Sequence, residues 1–264
     1  MQEKVVIPAA VRAEIETRLA NLASEEGARL LMAVESGSRA WGFPSPDSDY
    51  DVRFLYVRPR NAYLSLMPPR DVIERPIVDE IDLNGWDIRK ALALLLKHNA
   101  VLSEWMDSPV RYVVDDPVIG KLSDLATRHF NPRGYAKHYA NLGRGAVSRW
   151  FNDDGTVSAK RYFYALRPAL SVRALRLDPG RRPPMNILPL MEAAQVEQAV
   201  VDQIHELIAR KAQTREAGNT IQLPSVERLI EDELQRVSEV PERPRDDQFM
   251  DEAEALFLQL VNEE

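Results

Sequence analysis

Two aspartates, Asp49 and Asp51, stand two residues apart where the apolar run 51–57 begins. A strand repeats every two residues, so both carboxylates point to one face, their α-carbons roughly 7 Å apart. Like charges held that close call for a cation or a shared proton. Hard divalent ions such as Mg²⁺ or Mn²⁺ take carboxylate oxygens together with phosphate oxygens, so the pair reads as a metal platform for phosphoryl or nucleotidyl transfer. A third acid on a neighbouring strand would complete a two-metal site. Upstream lies Ser36-Gly37-Ser38. Gly37 permits a tight turn and close backbone approach, leaving main-chain N–H groups and the Ser36 and Ser38 hydroxyls to hold a triphosphate. No Gly-Lys-Ser/Thr follows and no GxGxxG occurs, so neither familiar glycine-rich phosphate loop is present. The chain has no cysteine, which excludes disulfides, thiolate metal sites and a cysteine nucleophile. Its four histidines lack metal-ligand spacing.

The elements that must carry these residues follow from periodicity and breakers. A helix is predicted over 11–22, then a buried strand over 28–35 that delivers the chain to the Gly-Ser turn. Two prolines and a glycine make 41–46 a loop, and the β-branched and aromatic run 51–57 is the second strand, ended by Pro59. A third strand begins near Ile77 and alternates through Val78, Ile81, Asp82 and Leu83. Asp87 precedes a strong helix over 88–97, with a shorter helix at 101–106 and a short strand at 110–114. The remainder is helical in pattern, near 118–130, 133–151, 158–176, 185–210, 225–237 and 247–262, interrupted at 180–184 and 214–220. The expectation is an α+β fold: residues 1–115 form a catalytic unit with a mixed sheet, and 116–264 form a helical region that acts as a substrate-binding or nucleotide-binding lid.

Composition is that of an ordinary globular chain, 264 residues with 45% apolar and 28% charged. Net charge is −7, unevenly spread: 231–264 carries 12 acidic and 3 basic residues, while 128–182 carries 12 Lys/Arg against 3 Asp. The basic stretch therefore leaves room for an anionic partner. No apolar run is long enough to span a bilayer and the N-terminus lacks a signal-like stretch, so no membrane partner and a cytoplasmic location are expected.

The order of Gly37-Ser38 followed by Asp49-Tyr50-Asp51 resembles the signature of the DNA polymerase beta-type nucleotidyltransferase superfamily. Three further stretches, 35–42, 48–53 and 85–90 running on to Lys97-His98-Asn99 and Glu104-Trp105, resemble the nucleotidyltransferases associated with RNA repair. A fourth, 160–168, is similar as well, so the likeness spans about 34–170. It implies that Asp49, Asp51 and one later strand acid bind the metals that activate a nucleoside triphosphate and the attacking hydroxyl. Candidates for that acid are Asp79, Glu80, Asp82 and Asp87. Asp82, set between Ile81 and Leu83, has the apolar-acid-apolar context of a strand acid, whereas capping alone accounts for Asp87.

Around the acids, Arg39 and Arg53 are candidates for phosphate contacts, though Arg39 has a loop acid as an equal alternative. Lys90 lies on the 88–97 helix as a further candidate near the nucleotide. Lys160, Tyr164 and Arg167 are spaced by four and three, so one helix face would offer a lysine, a ring and an arginine to a nucleotide. Lys137, His138, Tyr139 and Arg144 would extend that surface. Glu104 and Trp105 read as packing residues between the two regions. The expected reaction is attack of a hydroxyl on the α-phosphorus of an NTP, ATP among them. A 3′ end of RNA or DNA, a protein side chain and a small molecule stand as acceptors, beside a non-catalytic nucleotide-binding role.

Overall fold

The structure, a computed structural model, describes residues 7–149, 157–213, 219–220, 222–244 and 246–263. The expected helix end at 150–151 and most of the predicted interruption at 214–220 lie outside the described residues. Helix α1 (Ala9–Glu26) ends at Gly27, whose left-handed φ of 56° closes the cap. The chain then enters β1 (Arg29–Ser36), the short α2 (Gly37–Trp41) and β2 (Tyr50–Val57). After α3 (Arg60–Tyr63) come β3 (Val72–Glu74), β4 (Ile81–Asp87), α4 (Ile88–Leu95), α5 (Val101–Met106) and β5 (Arg111–Val114). These strands form one sheet in the order β3-β4-β2-β1-β5, antiparallel except for the β2–β4 pair, which is parallel.

Helices dominate the rest: α6 (Asp116–Arg128), α7 (Pro132–Val147), α8 (Ala159–Leu177), α9 (Ile187–Ala193), α10 (Gln198–Gln213), α11 (Pro224–Gln235) and α12 (Gln248–Asn262). A two-residue ribbon of β6 (Val157–Ser158) and β7 (Asn219–Thr220) precedes α8 and α11. The fold is thus the expected α+β mixed sheet followed by helices. The third strand starts later than predicted, because Asp79 and Glu80 take positive φ and turn the chain before Ile81. The single helix expected over 185–210 is two, α9 and α10, separated by a turn in which Gln195 has φ 46°.

Alternation along the strands sorts the apolar side chains into two layers. Ala33, Val52, Phe54, Tyr56, Ile81 and Leu83 face α1. Leu31, Val34, Leu55 and Val57 face α4, α5, α6 and α12. A third core joins α7–α11, and Phe43 of the 42–46 loop reaches into it, stacked on Phe163 at 4.1 Å. Both α6 and the C-terminal α12 bury their apolar stripes on the sheet, so the cores divide after α6 and the chain returns to the first at its end.

Candidate active site

The parallel pairing of β2 with β4 sets the geometry. Asp51 lies directly opposite Asp82, and their strand neighbours Val52, Ile81 and Leu83 are buried on the other face. Arg53, two residues along the same face, bridges the two acids: its Nη2 donates to Asp51 Oδ1 at 2.9 Å and to Asp82 Oδ2 at 2.7 Å. Asp49 is exposed just before β2. Burial raises the Asp51 carboxyl above its ordinary value; Arg53 opposes the rise, while Asp82 and Asp49 add to it. The Gly-Ser turn is built around the same group. Gly37 has φ 61°, and a Cβ there would fall 1.9 Å from Asp51 Oδ2, so only glycine lets the backbone pass the carboxylate.

Arg39 does not pair with a loop acid. Its Nη2 donates to Ser48 O at 2.6 Å and its Nε to Asp49 O at 3.2 Å, with the guanidinium 4.0 Å from the centre of the Tyr50 ring. It fixes the loop that delivers Asp49. The Ser38 hydroxyl donates to Ser48 Oγ at 3.1 Å, and Ser36 and Ser38 are both buried. Ser38 also lines the cavity beside the acids. Lys90 pairs with Asp71, at 3.2 Å.

A cavity of about 50 Å³ adjoins the acids, lined by Asp49, Asp51, Ser38 and Phe43 from the sheet side and by Lys160, Tyr164 and Lys211 from α8 and α10. Lys160 and Tyr164 thus meet the acids, but Arg167 does not join them, a correction with a clear cause. Its guanidinium is buried against Glu104, donating to Oε1 at 3.0 Å and Oε2 at 2.8 Å, and lies 4.5 Å from the Trp41 ring centre. Tyr139 donates to the same Glu104 at 2.7 Å. Glu104 accordingly has the packing role expected of it, tying α5 to α7 and α8.

Two residues at the site escaped the sequence reading. Glu35, quoted there only within a motif, is fully buried on β1; its Oε1 accepts the Asp51 N–H at 3.0 Å and its Oε2 the Tyr112 hydroxyl at 2.6 Å. Burial pushes its carboxyl up to about 7, against the pull of those two hydrogen bonds. An acid inside an apolar strand was the signal available. Lys211 is buried and donates to Ser45 Oγ at 3.2 Å; nothing in its helix marks it.

The donors fit a hard divalent ion. They are all carboxylate oxygens, and the Arg53 guanidinium lies between Asp51 and Asp82. Among the described residues no three His, Asp or Glu side chains stand together as a ready-made metal cage.

The chain is 37% identical over 229 residues to the uncharacterized protein YcgL of Bacillus subtilis (strain 168), covering 87% of each. Among solved structures it is similar to a nucleotidyltransferase-like protein from Exiguobacterium sibiricum 255-15, at 14% identity and a TM-score of 0.32, over 95% of this chain and 80% of that one. A family model matches residues 11–259, from within α1 to within α12, and this chain belongs to that nucleotidyltransferase-like family, the RNA repair pathway DNA polymerase beta family.

Proposed function

We propose that this protein is a metal-dependent nucleotidyltransferase that moves a nucleoside monophosphate from a nucleoside triphosphate to an acceptor hydroxyl. Asp49, Asp51 and Asp82 hold Mg²⁺ or Mn²⁺, and Lys160 and Lys211 meet the charge of the triphosphate. The observation that carries the reading is the register of β2 and β4, which sets Asp51 against Asp82 beside the exposed Asp49. When bound, the ion acts as a Lewis acid toward the phosphate and eases ionisation of the attacking hydroxyl.

Asp82 lies on the strand next to the Asp-x-Asp pair with a quarter of its side chain exposed. It takes the role of the acid nearest the acceptor hydroxyl, whose proton it accepts. The acceptor oxygen bonds to the α-phosphorus as the bond to the pyrophosphate oxygen breaks. Nothing in the sequence marks a covalent nucleophile, and the transfer is proposed to be direct and in line. The cavity of about 50 Å³ is far smaller than ligand pockets of several hundred Å³.

The family's description as an RNA repair pathway supports an RNA 3′ hydroxyl as acceptor, with DNA as the related polymer. A second reading has a specific observation in its favour. The basic stretch that suggested a polynucleotide track is largely compensated: Arg128 pairs with Glu252, Arg133 with Glu242, and Arg173 and Arg176 with Glu233. That charge balance suits a short acceptor, a protein side chain or a small molecule.

The test is incubation of the purified protein with each α-labelled NTP, Mg²⁺ or Mn²⁺, and RNA, DNA or a cell extract. Label is expected on the RNA 3′ end. Asp49→Asn, Asp51→Asn and Asp82→Asn are each expected to lower transfer by about 10²-fold or more. Undiminished turnover in excess chelator rejects the reading.

A further inference from the structure

A cavity of about 790 Å³ lies away from the one beside the acids. It lies where the end of α4, the α6–α7 junction and the segment before α12 meet. Its volume falls in the range of small-molecule and cofactor sites. One wall is a column of rings: His129 stacks on Phe249 at 4.5 Å and 8°, and His98 lies beyond Phe249 at 6.2 Å and 25°. Opposite chemistry is supplied by amides. Asn99, Asn131 and Asn141 each use Oδ1 for the chain's own donors, namely Val101 N–H, Gly134 N–H and Arg144. What each retains for a ligand is its NH₂ group.

Charge at the rim points the same way. Lys137 pairs with Glu242, Arg128 with Glu252 and His129 with Asp246. Lys97 and Arg243 line the cavity, are exposed, and form no ion pair among the described residues. Finally, His138 lines the cavity, and its buried Nε2 has no hydrogen-bond partner among the described residues. Buried polar atoms of this kind ordinarily have a partner. Burial also holds the His138 and His98 imidazoles below their ordinary values, so they present neutral rings with one acceptor nitrogen each.

We propose that this cavity is a second, non-catalytic nucleotide-binding site, which takes a phosphate-bearing base either as a free nucleoside monophosphate or as one residue of an RNA strand. The base stacks on the ring wall beside His138 and hydrogen-bonds with the asparagine amides, and Lys97 and Arg243 meet the phosphate. This does not depend on the carboxylate reading of the active site.

The four histidines allow a direct test, since His98, His129 and His138 line the cavity and His205, exposed on α10, serves as an internal control. The full chain, labelled at the histidine ring carbons and kept free of metal by chelator, is titrated by NMR. The probes are each ribonucleoside 5′-monophosphate, inorganic phosphate alone, and a pentaribonucleotide. Saturable movement of the His98 and His138 signals by a monophosphate, with His205 unmoved, is expected. The Lys97→Glu/Arg243→Glu double variant is expected to weaken it about tenfold or more, and Asp51→Asn to leave it unchanged. A pentanucleotide that binds more tightly than its monomer assigns the strand as the source; equal binding assigns the free nucleotide. The proposal is overturned if millimolar monophosphate and pentanucleotide leave the signals in place, or if phosphate alone binds as well as nucleotide. It is likewise overturned if the effect is lost in Asp51→Asn but survives in the double variant.

Discussion

At the scale of single residues, the site turns on how close an uncharged backbone can come to a buried acid. Gly37→Ala combines an unfavourable φ of 61° with a Cβ 1.9 Å from Asp51 Oδ2, so the carboxylate must swing away from Asp82. Transfer is expected to fall at least about 10²-fold, with stability lowered by about 1–2 kcal/mol; wild-type turnover in this variant would show that Asp51 is not positioned from Gly37. Glu35 gives a second prediction with a definite sign. Its carboxyl is raised from 4.5 to about 7 in the folded chain, so its contribution to stability is full below about 4.5 and is lost as pH rises through about 7. Glu35→Gln removes that dependence. In chelator, wild type is expected to lose about 3 kcal/mol relative to the variant between pH 4.5 and 8, read from urea midpoints; parallel pH profiles for the two proteins would refute it. The Asp49–Asp51 pair was legible because a period of two is a local property of the chain. The contribution of Glu35 was not, because it exists only once β1 lies beside β2 and Tyr112 arrives on β5.

At the scale of elements, the long helices were legible because their apolar stripes repeat within each segment; α6, α7, α8, α11 and α12 lie close to the expected positions. β3 was not: three residues between Pro69 and Pro76 are too few to show alternation, and only pairing with β4 makes them a strand. Arg167 shows a different limit. Helical spacing put it one turn from Tyr164 and said nothing of Glu104, 63 residues earlier. Because that ion pair is buried, removing one partner leaves the other charged and unpaired. Arg167→Met is expected to destabilise the protein by roughly 3–5 kcal/mol, whereas Glu104→Gln/Arg167→Met recovers a substantial part of the loss. Urea denaturation of the two variants compares them. Equal stability of the single variant and wild type would mean that the pair contributes nothing to docking α8.

At the scale of the whole molecule, the sheet's second face is closed by segments far apart in sequence. Leu31, Val34, Leu55 and Val57 share one core with Val118, Leu122 and Leu125 of α6 and with Phe249, Ala253, Leu256 and Leu260 of α12. The charge pattern follows the same return of the chain, since the acidic C-terminal part folds back onto the basic middle and pairs with it. Neither fact is visible in a linear reading, where 1–115 looks like a complete catalytic unit and the tail like a charged appendage. A fragment comprising 1–115 would expose the apolar side chains that α6 and α12 cover, at about 25 cal/mol per Å² of lost burial. Such a loss rivals the total stability of 5–15 kcal/mol typical of a domain. The fragment is therefore expected to show no cooperative urea transition and to bind a hydrophobic dye, while the full chain unfolds cooperatively. Removing 248–264 alone isolates the contribution of α12: the midpoint should drop sharply, and transfer activity with it, although no residue of α12 lines the cavity beside Asp51. A 1–115 fragment with a sharp transition of its own would show that the sheet is a self-sufficient domain and that the returning helix is only packed onto its surface.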